Sequence, residues 1–475
     1  MSDSSPQLVL PPRRGRYGLA TGVGLVVANM VGSGVLTTAG FMADTLGPLW
    51  ILVAWVVGGL IALAGARVYA ALADELPGSG GEYRYLSKLV HPFAGYLAGW
   101  TSLLVGFSAP VAMAGLAAGA YLGVLLGVDP RTAAVVVVVA VTAVHAFHIR
   151  ASALVQDLLV SVKAVLLAAF LLTGLVLGSK VLPAWQPSAA VDAVHPLAAF
   201  FNSLVFIGFC YSGWNAVVYV ADEFAHPKRD VPRAMLIGTL LVTLLYLGVN
   251  WVFVANLTPA DLAVVKTEDE KLTLGHVVLS HLLGPSGAIA MSSVVLIALI
   301  SSLSAMTLVG PRVYAAMAED RFLPGFFRQS ADSPPLASVL LQSVVAIVLI
   351  LTQQFEVLLN NAGSILTLTS MLAVAALAWR KGRALARSVK WAAALYCLAS
   401  TWALVFSIKS TPSSLAWIAA ITVAAALGYR MTPHVRARQG AVVTPLTAVP
   451  SLPAVTPAPA NEARLGPTEV ERKIA

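Results

Sequence analysis

Apolar stretches of about 20 residues recur along this chain between short polar segments, a length that crosses a bilayer as a helix. Twelve spans are predicted, at approximately 17–43, 48–73, 93–125, 131–148, 152–178, 197–222, 233–255, 284–316, 336–352, 356–378, 390–408 and 413–431. The pattern predicts an all-α polytopic membrane protein. The first stretch follows Arg13, Arg14 and Arg16 and imitates a secretory leader. It is too long for the apolar core of one, and Pro48 opens another span in place of a cleavage site, so no signal peptide is predicted.

Two of the spans carry weak points in their middles. The first contains Val31-Gly32-Ser33-Gly34-Val35, and the sixth reads Gly208-Phe209-Cys210-Tyr211-Ser212-Gly213. The glycines serve one of two ends. They can break the helix, which at membrane depth is tolerated only where the freed backbone lines a cavity or meets a ligand. They can instead let a neighbouring helix approach closely. Two interrupted spans five elements apart favour the first reading, as the opening members of two inverted repeats with a ligand site at their breaks. Amides at the start of a new half-helix after Ser33 suit a carboxylate, and freed carbonyls in span 6 suit an ammonium.

Lys163 stands near the middle of span 5. A lysine there costs about 2.5–3.5 kcal/mol on insertion scales, so it faces the interior and marks a pathway. No acid of comparable depth is an evident partner, leaving carbonyls and hydroxyls. Such an amine either exchanges a proton during a working cycle or is a fixed cation in place of a metal ion. Ser301, Ser302 and Ser304 in span 8 either face the site or bond back to their own helix. His145 and His148 are read as interfacial.

Composition narrows the class. The chain has 475 residues, 58% hydrophobic and 11% charged, with mean hydropathy +0.83, where a soluble protein carries roughly twice that charged fraction. The net charge of +8 is no nucleic-acid footprint, because the basic residues sit in short loops between spans. One set of loops holds Arg84/Lys88, Arg150, Lys228/Arg229/Arg233, Arg312/Arg321/Arg328 and the run Arg380 to Lys390; the other is poor in them. Both termini are therefore predicted to be cytoplasmic, in an inner (cytoplasmic) membrane. Cys210 and Cys397 form no metal spacing. A membrane enzyme would need a convergent nucleophile, base or metal set, and the sequence has none. The loop Leu76-Pro-Gly-Ser-Gly-Gly-Glu-Tyr-Arg-Tyr is read as a turn into a short amphipathic segment. The polar stretch 257–281, the longest polar loop, is read as forming a lid-like helix or hairpin, and the Pro-, Ala- and Thr-rich tail from Thr432 as disordered.

These motifs together resemble the amino acid–polyamine–organocation (APC) superfamily over residues 15 to 430. The matching strings are Gly32-Ser33-Gly34, Pro77-Gly-Ser-Gly-Gly-Glu-Tyr, Tyr211-Ser-Gly-Trp-Asn with Asp222-Glu223, Pro232-Arg233, and Gly310-Pro-Arg-Val-Tyr-Ala-Ala-Met-Ala. The resemblance implies two inverted five-helix repeats, 17–178 and 197–378, two further helices in 389–431, a cytoplasmic segment 1–16 and a tail 432–475. It implies alternating access and no cofactor. It implies that Gly32, Ser33 and Gly34 bind a substrate carboxylate, that backbone around Phe209, Cys210 and Ser212 binds its amine, and that Phe209 gates the site. Lys163 resembles a substitute for a sodium ion, with its amine near the carbonyls of Ala28 and Val31 and the hydroxyl of Ser304. The span-6 string looks like the branch that moves neutral L-amino acids, and no intramembrane acid near the breaks is evident for a second substrate cation. His226 and Asp222 depart from the family pattern at the exit of span 6. The implied function is secondary transport of neutral or small amino acids, by proton symport through Lys163 or by obligatory exchange; a sensor of the same fold is a third reading. The partners are an amino acid, protons and the bilayer, with no nucleic acid.

Overall fold

The computed structural model of the chain describes residues 17–43, 45–147, 149–183, 196–258, 261, 272, 274–328 and 336–430. His148, about half of the stretch 257–281 and the whole of the tail from Thr432 lie outside the described residues. The described residues are helical throughout. They run α1 (Leu19–Met30), α2 (Ser33–Ala43), α3 (Pro48–Glu75), α4 (Gly81–Leu89), α5 (Pro92–Thr101), a π-helical turn (Ser102–Ser108), α6 (Ala109–Leu126), α7 (Pro130–Phe147), α8 (Ile149–Leu177), α9 (Pro196–Tyr211), a 3-10 segment (Ala216–Glu223) and α10 (Pro227–Ala255). The second part holds α11 (Leu274–Glu319), a 3-10 turn (Gly325–Phe327), α12 (Leu336–Thr352), α13 (Phe355–Lys381), α14 (Arg387–Ser410) and α15 (Ser413–Arg430). Among the described residues the sole bridge is an isolated parallel pair, Tyr17 with Phe224. Among the described residues nine helices are long and apolar enough to cross a membrane, and Leu19–Met30, Pro130–Ala146 and Leu336–Thr352 are shorter apolar ones.

Helices prevail because lipid offers no partner to a backbone amide or carbonyl, and a helix pairs both internally. Where the chain departs from α-helix, a residue type explains it. Gly284 takes φ 70° and ψ −171° inside α11, with Pro285 after it, so the helix bends there. Gly127, at φ 68°, closes α6 in the left-handed conformation.

Packing depends on small residues, since apolar association gains little where the solvent is itself hydrocarbon. α3 lies on α10 and α9, and α1 lies on α10. A Cβ at Gly58 would stand 2.2 Å from a methyl of Ile207 on α9, and one at Gly59 would stand 2.5 Å from a methyl of Thr243 on α10. At the α6–α7 contact the neighbour is backbone, which cannot rotate away. A Cβ at Gly119 would fall 2.1 Å from the Pro130 carbonyl oxygen. Gly119→Val is therefore expected to lower the melting temperature in detergent and the monodisperse yield sharply, whereas Gly24→Ala, with open space around the added Cβ, should do neither.

Candidate functional site

The first span does break, one step before the glycine pair. α1 ends at Met30, Val31 has φ −74° and ψ 84°, and α2 opens at Ser33. Span 6 breaks after Tyr211, where Gly213 takes φ 107° and the chain resumes as a 3-10 segment from Ala216. That left-handed turn also lets its backbone meet α1: a Cβ on Gly213 would stand 3.0 Å from the Asn29 carbonyl. The two breaks face each other.

Breaking a helix strands carbonyls in its last turn. Here side chains from three other helices take them up. Lys163 of α8, 3% exposed, donates through Nζ to the carbonyls of Ala28 at 3.2 Å and Val31 at 2.8 Å. Ser302 of α11 donates to the Val31 carbonyl at 2.9 Å. Tyr246 of α10 reaches both breaks, with its hydroxyl on the Met30 carbonyl and, at 2.9 Å, on the Cys210 carbonyl. The cation, the phenol and the hydroxyl tie α8, α10 and α11 to one turn of backbone. Sequence reasoning missed Tyr246, since a tyrosine in an apolar span has no periodic mark.

Ser304, which the resemblance implied lies near the Lys163 amine, also meets α7. Its hydroxyl lies 2.8 Å from Nε2 of His145. His145 is buried, at 3% exposed, and α7 packs on α11. Ser301 is buried with no hydrogen-bond partner among the described residues.

Gly32, Gly34, Phe209, Cys210 and Ser212 border one small cavity with Ser302 and Met306, about 20 Å³ in volume. That is room for about one water, so the walls are nearly closed. The two glycines differ. A Cβ at Gly34 would stand 2.6 Å from the Cys210 sulfur, whereas one at Gly32 would meet nothing nearer than the Ser302 hydroxyl at 3.7 Å. Gly34 lets α2 and α9 touch, the close-approach reading; Gly32 leaves open space beside the free amides of α2. Phe209 is buried, and its carbonyl accepts from the Ser212 amide at 2.9 Å.

An acid does lie near the second break, contrary to the sequence reading. In the turn before α4, Gly78, Gly80 and Gly81 all have positive φ (111°, 122° and 53°), a backbone that residues with a Cβ avoid. The turn carries Glu82 inward against span 6. Its carboxylate accepts from Tyr69 at 2.7 Å, from the Asn215 amide at 2.6 Å and from the Tyr219 hydroxyl. Ser79 and Asp222 exchange two further bonds, at 2.9 and 3.1 Å. Nearby, Tyr83 donates to Asp320, and burial, then that bond, hold its phenol above its ordinary range. It stays a donor at physiological pH. Glu82 was visible in the sequence as part of a loop motif, but its depth was not.

The chain matches the family model described as amino acid permease over residues 17–447. It is 28% identical over 450 residues to the large neutral amino acids transporter small subunit 2 of Mus musculus, covering 86% of this chain and 81% of that protein. It is 31% identical over 276 residues to the b(0,+)-type amino acid transporter 1 of Rattus norvegicus, covering 55% of each. It is 27% identical over 346 residues to the serine/threonine exchanger SteT of Bacillus subtilis (strain 168), covering 70% of this chain and 76% of that one.

The geometry makes two stability predictions. Tyr246→Phe removes the one O–H that the two buried carbonyls share, a loss of about 1–3 kcal/mol in all, and should lower the melting temperature of the purified protein; an unchanged value would deny the phenol this task. Gly34→Leu is expected to disrupt packing against Cys210, whereas Gly32→Ala should melt within a degree or two of the unsubstituted protein.

Proposed function

Because the chain belongs to the amino acid permease family, we propose that it is a secondary active transporter of neutral or small L-amino acids, working by alternating access in an inner membrane with both termini cytoplasmic. The observation that carries this reading is the meeting of two broken spans at one cavity, bordered by Gly32 and Gly34 at the start of α2 and by Phe209, Cys210 and Ser212 at the end of α9. A zwitterion matches that polarity: carboxylate on the amides of Gly32, Ser33 and Gly34, ammonium toward the backbone around Phe209, Cys210 and Ser212. The architecture we assign is twelve spans, as inverted repeats 17–178 and 197–378 with two further helices in 389–431. Phe209, buried on the cavity wall, acts as the gate.

Lys163 is the coupling group in this reading. Its amine bonds to two neutral carbonyls in the last turn of α1, so proton loss would weaken the hold of α8 on the broken helix without leaving an anion behind. That links a proton to the mobile element and makes proton symport the first reading. Exchange is the second, favoured by the likeness to a protein named an exchanger.

Counterflow of labelled amino acids into proteoliposomes decides between them. Uptake into empty vesicles that rises with an inward proton gradient is the expected result; uptake only into preloaded vesicles, insensitive to pH, would mean exchange. In Lys163→Ala, gradient-driven uptake should vanish while binding persists, and retained gradient dependence would remove Lys163 from coupling. Gly32→Ala, which adds a methyl beside the α2 amides, is expected to weaken neutral amino acid binding about tenfold, read by calorimetry.

A further inference from the structure

A second, larger cavity of about 110 Å³ borders the first, sharing Asn29, Ser212 and Met306 with it, and reaches Glu82. Glu82 is 4% exposed. Its three partners, Tyr69, Asn215 and Tyr219, are all neutral, and it joins no salt bridge among the described residues. Hydrogen-bond dipoles solvate a carboxylate but supply no counter-charge, and a buried acid without one is costly.

The walls define what fits. Phe107 and Tyr219 meet edge to face at 6.0 Å, and Trp214 and Tyr396 at 6.4 Å; all four border the cavity. Tyr211 and Ser400 also border it. Aromatic faces beside a carboxylate suit an organic ammonium. They suit a bare metal ion poorly, since that needs several convergent oxygen lone pairs, and the Asn215 amide turns its N–H, not its oxygen, toward Glu82.

We propose that the Glu82 end of this cavity is a second recognition site, for an organic ammonium group, separate from the half-helix amides that would hold an amino acid carboxylate. Whether that ammonium belongs to a substrate side chain rests on the transport reading above; the site itself does not.

The test uses 1,5-diaminopentane, which carries ammonium groups and no carboxylate, titrated into the purified full chain. The unsubstituted protein is expected to bind it, Glu82→Gln to bind at least tenfold more weakly, and Gly32→Ala to match the unsubstituted protein within twofold. No binding by the unsubstituted protein, or binding indifferent to Glu82→Gln, overturns the site. Should Glu82→Gln fail to fold, labelling of Glu82 by a carbodiimide, followed by mass spectrometry, is expected to be slowed at least threefold by the diamine; unchanged labelling overturns the proposal equally. Leucine and lysine then locate the ligand. A lysine preference lost in Glu82→Gln puts the ammonium on a substrate, and diamine binding without that preference puts it on a free amine; both support the site. Diamine binding with no binding of either amino acid would sink the transport reading and leave this site standing.

Discussion

A backbone carbonyl inside a membrane has no water to turn to, and this molecule is arranged around that constraint. Interrupting α1 at Val31 and α9 at Tyr211 strands carbonyls at a depth where each unpaired group costs several kcal/mol. Lys163, Ser302 and Tyr246 take them up. Each comes from a different helix, so satisfying the breaks also docks α8, α11 and α10 around them. The same bonds that make the interruption tolerable make it a junction of α1 with three other helices.

The two glycines of the first break divide the work between them. Gly34 gives up its side chain to let α9 pass, and Gly32 gives up its own without any neighbour claiming the space. A helix contact and an open face are thus set two residues apart on the same turn. Closing the cavity on one side needs α2 and α9 in contact, and leaving the other side open needs nothing beyond the missing methyl.

Farther along span 6, polar contacts stand beside the buried Val217, Val218 and Val220. Glu82, Tyr69, Asn215 and Tyr219 form a buried cluster, and Ser79 with Asp222, Tyr17 with Phe224 and Arg312 with Glu223 add ties around it. Contacts of this kind can be remade without opening an apolar core to water, because each partner hydrates well when released. That distinguishes the end of span 6 from the seams of α3 with α9 and α10, where Gly58 and Gly59 make close contacts.

The helical class, the near positions of the spans and the weak points in the first and sixth were legible in the sequence, because hydropathy over 20 residues and the lack of a glycine Cβ are local properties. Lys163 stood out for a similar reason, as a charge in an apolar run. What the sequence could not express was depth and partnership. Glu82 read as a loop residue until three left-handed glycines folded it inward, and the pairing of His145 with Ser304 needed α7 and α11 side by side. Tyr246 had no mark at all, since its task depends on two carbonyls at positions 30 and 210 that come together only when α1 and α9 break side by side. Burial and hydrogen-bond pairing are relations between distant segments, and only the packed bundle decides them.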